Sequence, residues 1–521
     1  MNGELSGGMN GNFHEKSDTI QTYGNRGIKE PIPMVFSAAD IIIAFCMLAC
    51  GFLYWNLINV VSLGLGVTLF TAVLCIIVTV YFRNAGFRQS KESLASLGII
   101  ILSAASFTLF DGVLIKALNF VFLSLVFVYW VCLTAGARLE NKISVYILSD
   151  MLHQLIVIPF SNFTCCFSGV KQVFAKNKKG KNIFGGVIGI LFFLPVLILV
   201  VSLLSNADAA FESLMDRIRF SVSENMLEHI RDIILGLPVA FYLYGLIYGN
   251  RYKRHVGNAT VESVNDHVKA FRFAPDVTVY SALTALNLIY VLYFLAQTSY
   301  FFSAFGDSLP QSMTYAEYAR RGFFELCAVS GINLAVIAVA HLIVKRDKIK
   351  ILHVETATLC IFTLALIATA MSKMGMYISY YGLTRLRVYT SWFMIVLLFL
   401  FVIVLLRQFK GFQGTRIAVI GCICLFIALC YSNVDGMIAK YNIDRYQAGT
   451  METLDISAFS ELSDGAVPYL YELYQETDNP KMKEELKLII TLPLYNQLAD
   501  YDGFRDFNMQ RYKADQIRNI I

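Results

Sequence analysis

From Phe36 to Asn433 the chain alternates apolar runs with short polar loops. Each run is about twenty residues long, the length that carries a helix across a bilayer. The alternation predicts eleven spans, at 36–57, 58–82, 94–110, 114–134, 183–204, 232–250, 276–302, 324–344, 353–372, 388–406 and 417–432. The expected fold is therefore all-α, a polytopic helical membrane bundle.

The loops supply the orientation. Every second loop is rich in Lys and Arg, with 22 on one side, among them Arg83, Lys142, Lys179, Arg254, Lys348 and Lys410. The other side carries seven, all Arg: Arg217, Arg219, Arg231, Arg320, Arg321, Arg385 and Arg387. Basic residues are retained on the cytoplasmic side, so the expected topology has the N-terminus inside and the C-terminus outside, in a cell (plasma) membrane.

Two apolar segments do not read as spans. Residues 144–170 are interrupted by Asp150, His153, Gln154, Pro159 and Asn162, which predicts an amphipathic helix on the inner surface. Residues 205–230 mix apolar residues at helical spacing with charges and predict an outer-surface helix. Residues 1–35, polar and rich in Gly and Asn, read as a disordered cytoplasmic tail. The transmembrane domain is then 36–432, followed by a charged region, 433–521, expected to form a small helical extracytoplasmic cap. Within that region a helix is expected to run on from the last span through Tyr446 and to end at Gly449. Further helices are expected at 457–475, at 480–498 (with Pro480 at its start) and at 505–519.

Composition agrees with the pattern. Of 521 residues 56% are hydrophobic and 16% charged, the mean hydropathy is +0.58 and the net charge +5. A small charge confined to loops is a topological signal, not a nucleic-acid footprint. The eleven cysteines lie in apolar stretches and read as small core residues rather than a disulfide framework.

Candidate chemistry falls in four places. Asp40, Lys116, His341, Glu355 and Asp276 lie in or near spans, where ionisable groups mark ion or substrate paths or snorkel to an interface. TYAEYARRGFFEL at 314–326 sets Glu317, Arg321 and Glu325 at i,i+4 spacing. It is either an aromatic belt with a salt-bridge ladder or one wall of an anionic-ligand site, with Arg320 and Arg321 as forked donors. In MYISYYGLTRLRVY at 376–389, Gly382 breaks the helix, Thr384 caps the next one, and Arg385 and Arg387 stand at the outer edge. NVDGMIAKYNIDRY at 433–446 places Asp435, Ile438, Asn442 and Arg445 on one helical face. For these last two the alternatives are a ligand site or a network tying the cap to the bundle. The candidate ligand-binding set is Glu317, Arg320, Arg321, Arg385, Arg387, Asp435, Asn442 and Arg445. The chain carries no phosphate-binding glycine loop, paired-His zinc motif or nucleophile elbow. Accordingly no catalytic residue, cofactor or metal is assigned.

Three blocks resemble a bacterial family described as domain of unknown function 4173, related to family 4153. They are Tyr315–Arg320 with Gly322–Phe323, then Tyr381–Thr384 with Arg385 and Arg387, then Asn433, Asp435, Ile438, Asn442 and Arg445–Tyr446. The last is followed by Leu462–Ser463, Ala466–Pro468 and Leu470. The similarity runs over roughly 205–520. It implies a bacterial polytopic membrane protein with an outer C-terminal cap and brings no activity or ligand. Three functions stay open: binding or transport of a small or anionic ligand at an outward-facing site, a sensor or scaffold for an envelope partner, and an enzyme acting on a lipid headgroup. The partners expected are the bilayer and an anionic small molecule or headgroup, with no nucleic acid. The oligomeric state is open.

Overall fold

A computed structural model describes residues 34–174, 178–221, 224–256, 260–296, 323–345, 349–491 and 503–521. Its elements are α1 (Ala38–Leu57), α2 (Leu65–Asn84), α3 (Lys91–Leu109), α4 (Val113–Ala135), α5 (Ile147–Leu152), α6 (Ile158–Ser161), α7 (Cys165–Phe174), α8 (Lys178–Ala207), α9 (Ala209–Ser221), α10 (Glu224–Arg251), α11 (Val261–Ala270) and α12 (Asp276–Ala296). They continue with α13 (Phe323–Ile343), α14 (Ile349–Tyr381), α15 (Arg385–Phe409), α16 (Gly414–Tyr431), α17 (Val434–Gln447), α18 (Val467–Glu476), α19 (Pro480–Thr491) and α20 (Met509–Arg518). Among the described residues the protein is helical, with one isolated bridge between Ala274 and Val344.

Eleven described helices are long and apolar enough to cross a membrane. Ten of them coincide with expected spans, and the expected span 183–204 lies inside α8, which is 30 residues long. The eleventh, Ile147–Phe174, is the segment expected on the inner surface. That expectation needs correction. A surface helix would show its polar residues to water, whereas Asp150, Gln154 and Asn162 are buried. Gln154 accepts from Asn250 Nδ2 at 2.7 Å, Asn162 Oδ1 from Arg254 Nε at 2.9 Å, and Asp150 Oδ1 from Leu139 N at 3.1 Å. The segment is also not one rod. A π-helical stretch joins α5 to α6, and a turn at 162–164 separates α6 from α7. Phe163 packs edge-on against Phe241, halfway along α10, while Gly169 of α7 lies back beside Phe36 and Tyr244. Its contacts along α10 are with the half ending at Arg251, so the chain enters the bundle to mid-depth and returns.

Two apolar cores divide the bundle. The first joins α1–α4, α7 and α10; its closest helix pair is α1 against α10, where Gly51 and Gly236 meet backbone to backbone with no room for a Cβ. The second joins α12–α15. Between them, α16 touches α3 and α4: Tyr431 donates to the Leu102 carbonyl at 2.8 Å, and the Phe122 and Phe426 rings meet tilted, with centres 4.8 Å apart.

The helix ends sort into two sets. At one end the start of α3, the end of α4 and the start of α16 meet, where Glu92 pairs with Arg138 and, at 3.6 Å, with Arg416. At the opposite end, a third core is built from α17–α20 against Leu383, Val388, Tyr389 and Trp392 of the 382–392 stretch and Leu429 of α16. The expected continuous helix through Tyr446 is interrupted instead. Asn433 adopts φ +45 and caps α17 by accepting from Gly436 N, which turns the chain off the bundle. As expected, α17 stops just before Gly449, which takes φ +69, and Pro480 opens α19.

Candidate functional site

The end opposite Glu92 holds five of the eight candidate ligand residues. Gly382, at φ +75, ends α14, and Thr384 caps α15 by accepting from Arg387 N. That sharp reversal brings the start of α15 against α17. Arg385 then grips Asp435 with two parallel bonds, Nε to Oδ1 and Nη2 to Oδ2, both 2.6 Å. Asp435 is 4% exposed and also accepts Ser463 N at 3.1 Å. This bidentate, charge-assisted geometry is the strong form of a guanidinium–carboxylate pair.

Asn442 uses its whole amide on one residue. Its Oδ1 accepts from Leu383 N at 2.7 Å and its Nδ2 donates to Leu383 O at 2.9 Å. A Cβ at position 382 would collide with that amide, which is why a glycine stands there. Arg387 and Arg445 close the end of α14. Arg387 Nη1 donates to the carbonyls of Tyr381 and Gly382 and its guanidinium lies 4.1 Å from the Tyr377 ring centre. Arg445 donates to the Ile378 and Ser379 carbonyls and to Thr450. Helix C-termini leave carbonyls without partners and carry partial negative charge, so two cations there are favourable on both counts. Glu317, Arg320 and Arg321 lie outside the described residues.

A second charged cluster lies alongside. Asp111, in the turn between α3 and α4, is 4% exposed and pairs with Lys116 at 2.9 Å. Gln510 Oε1 accepts from Asp111 N at 2.8 Å, and Asn508 Nδ2 donates to Asp111 Oδ1 at 3.2 Å. Arg511 bonds Asp464 Oδ2 at 3.3 Å, and Arg518 pairs with Asp464 Oδ1. Burial alone would push the Asp111 carboxyl up. The Lys116 and Arg511 charges outweigh it and hold the group below its ordinary value. Arg518 shows the mirror case, with burial opposing its charge and Asp464 more than restoring it, so its value rises.

The two clusters share a polar cavity of about 20 Å³, lined by Asp111, Lys116, Asn119, Tyr389, Asp435 and Ser463 among others. That is room for about one water molecule. One turn deeper, Asn119 is saturated by the Ser103 and Ser106 side chains and the Ser103 carbonyl, and beyond it lie Ile100, Leu123 and Phe127, all buried and apolar.

The other ionisable groups noted from sequence are also held. Asp40 is fully buried and accepts from Tyr81 and Tyr252 hydroxyls at 2.6 Å and from Arg251 at 2.9 Å. Glu355 accepts from Thr284 at 2.9 Å and Asn287 at 2.7 Å. His341 faces His353 with ring centres 6.2 Å apart, and Asp276 accepts from Tyr280 at 3.3 Å. Lys116 lies at the end opposite to Glu355 and His341. Sequence reasoning missed Asp111, Asp464, Arg511 and Arg518. An Asp at a span edge five residues before a Lys was the available signal for the first; the others are distant in sequence.

Residues 97–473 match the family described as Domain of unknown function (DUF4153). The chain belongs to this family. The DUF4153 match takes in Asp111, Lys116, Arg385, Asp435, Asn442, Arg445 and Asp464, and it reaches well before residue 205, where the resemblance noted from sequence began. Arg511 and Arg518 lie beyond it. No curated protein and no solved structure matches the chain.

Proposed function

We propose that this DUF4153 protein is a bacterial plasma-membrane component acting without catalysis, as a sensor or scaffold for an envelope partner. In this reading the N-terminus is cytoplasmic, and residues 433–521 form an extracytoplasmic helical cap. One observation carries it: the polar groups of Arg385, Arg387, Asp435, Asn442 and Arg445 are directed at one another or at helix-end carbonyls. Such an arrangement fixes a cap on a bundle, because Arg385 and Asp435 neutralise each other and Arg387 and Arg445 bond the carbonyls of a helix end. The basic bias of every second loop along the sequence supports the orientation.

A second reading, binding or transport of a small anion or lipid headgroup, draws on the 30% exposure of the Arg385 side chain and the polar cavity beside Asp435. Glu317, Arg320 and Arg321 would complete such a site. Comparison of lipids and metabolites in cells with the gene, without it, and with Arg385→Ala separates the two. The scaffold reading expects unchanged profiles; depletion or accumulation of one anionic species in both altered strains overturns it. Orientation is tested by an impermeant thiol reagent on intact cells, which should label Glu484→Cys and spare Lys142→Cys. The reverse pattern would invert the topology.

A further inference from the structure

Because the Ile147–Phe174 segment turns back at mid-depth, the other half of the space between α4 and α10 holds no described helix. A cavity of about 480 Å³ occupies it. Phe160 and Phe163 at the turn form its floor, and Ile58, Phe70, Phe120 and Tyr242 stand in its walls. No charged residue lines it. Of the hydroxyls present, Tyr242 already donates to the Leu155 carbonyl at 3.0 Å and Ser124 to the Phe120 carbonyl at 2.8 Å. Tyr54 and Thr71 add two further hydroxyls, but the rest of the lining is aliphatic or aromatic, and apolar cavities of roughly 150 Å³ take up apolar molecules.

The surroundings identify the occupant. Phe160 both lines the cavity and is 61% exposed on the outer face of the bundle, next to exposed Ile156. The cavity therefore opens sideways, onto the apolar belt that faces hydrocarbon. We propose that it is a binding site for one acyl chain of a membrane lipid. A chain moving in from the bilayer gains no hydrophobic free energy, since lipid tails are as apolar as the lining. Retention rests on dispersion contacts with the aromatic walls, so occupancy depends on chain shape and length and not on the headgroup. This inference is independent of the scaffold reading.

The test uses the full-length protein in phospholipid nanodiscs containing a phosphatidylcholine with a photoreactive diazirine on one acyl chain. Irradiation and peptide mapping should place adducts on Phe120 and Phe163 above the level at Leu288, a residue 58% exposed on α12. Thr71→Trp, which fills the cavity from α2, should abolish the cavity adducts and leave those at Leu288. Phe163→Ala, which widens it, should retain them at Phe120. Cavity labelling no higher than at Leu288 in the unaltered protein overturns the proposal, as does labelling unaffected by Thr71→Trp. Labelling that appears only after deletion of residues 1–33 assigns the cavity to the chain's own N-terminal segment and likewise overturns it.

Discussion

Removing Arg385 should damage the protein more than removing Asp435, although the two form one pair. Arg385→Ala leaves a carboxylate that is 4% exposed with a single backbone donor, Ser463 N. Stripping one partner from a buried pair in this way costs about 3–5 kcal/mol. Asp435→Ala leaves a guanidinium that is 30% exposed and regains water, together with an orphaned Ser463 N–H. The orphaned donor costs about 1–3 kcal/mol. In the double variant the stranded carboxylate is gone, so the two losses should fall short of additivity by about 3 kcal/mol, the upper end of the range for residues in direct contact. Reversible unfolding of the four proteins in detergent, read by exchange of the Ser463 amide, completes the cycle. Additivity within about 0.5 kcal/mol, or greater damage from Asp435→Ala, would refute the assignment of this pair as a buried latch.

Gly382→Ala should destabilise the cap by about 3 kcal/mol, from left-handed backbone strain of about 1 and two displaced Asn442 bonds of about 1 each. In Asn442→Ala background the bond part of that penalty should vanish, as measured by thermal unfolding. The Asp111 carboxyl is held below its ordinary value near 3.8. Its contribution is therefore full above that pH and drains away as pH falls through the lower folded value. Amide exchange in α20 should accelerate over that acid window, and Lys116→Met should move the onset to higher pH. Gly236→Leu should force α1 from α10 and cost at least about 1–3 kcal/mol as overpacking, visible as lost labelling protection at Cys50.

Much of this fold was legible because bilayer thickness and helical rise set the length of every span. The run lengths located ten of the spans. Thr384 as a cap, Gly382 as a break and Pro480 as a helix start were legible for a similar local reason: each acts on its own backbone. The sequence could not say that Ile147–Phe174 turns back at mid-depth, since its hydropathy suits a crossing, its polar residues suit a surface, and only burial against α10 decides between them. Nor could it pair Asp111 with Arg511 or Arg385 with Asp435, because salt-bridge partners depend on which helix ends meet in space. Local chemistry thus determined which segments are helical and how long they are. Tertiary structure decided what the charges meet, pairing Arg385 with Asp435, setting Arg387 and Arg445 on the carbonyls that end α14 and Asn442 on Leu383, and leaving an apolar chamber where a half-helix is missing.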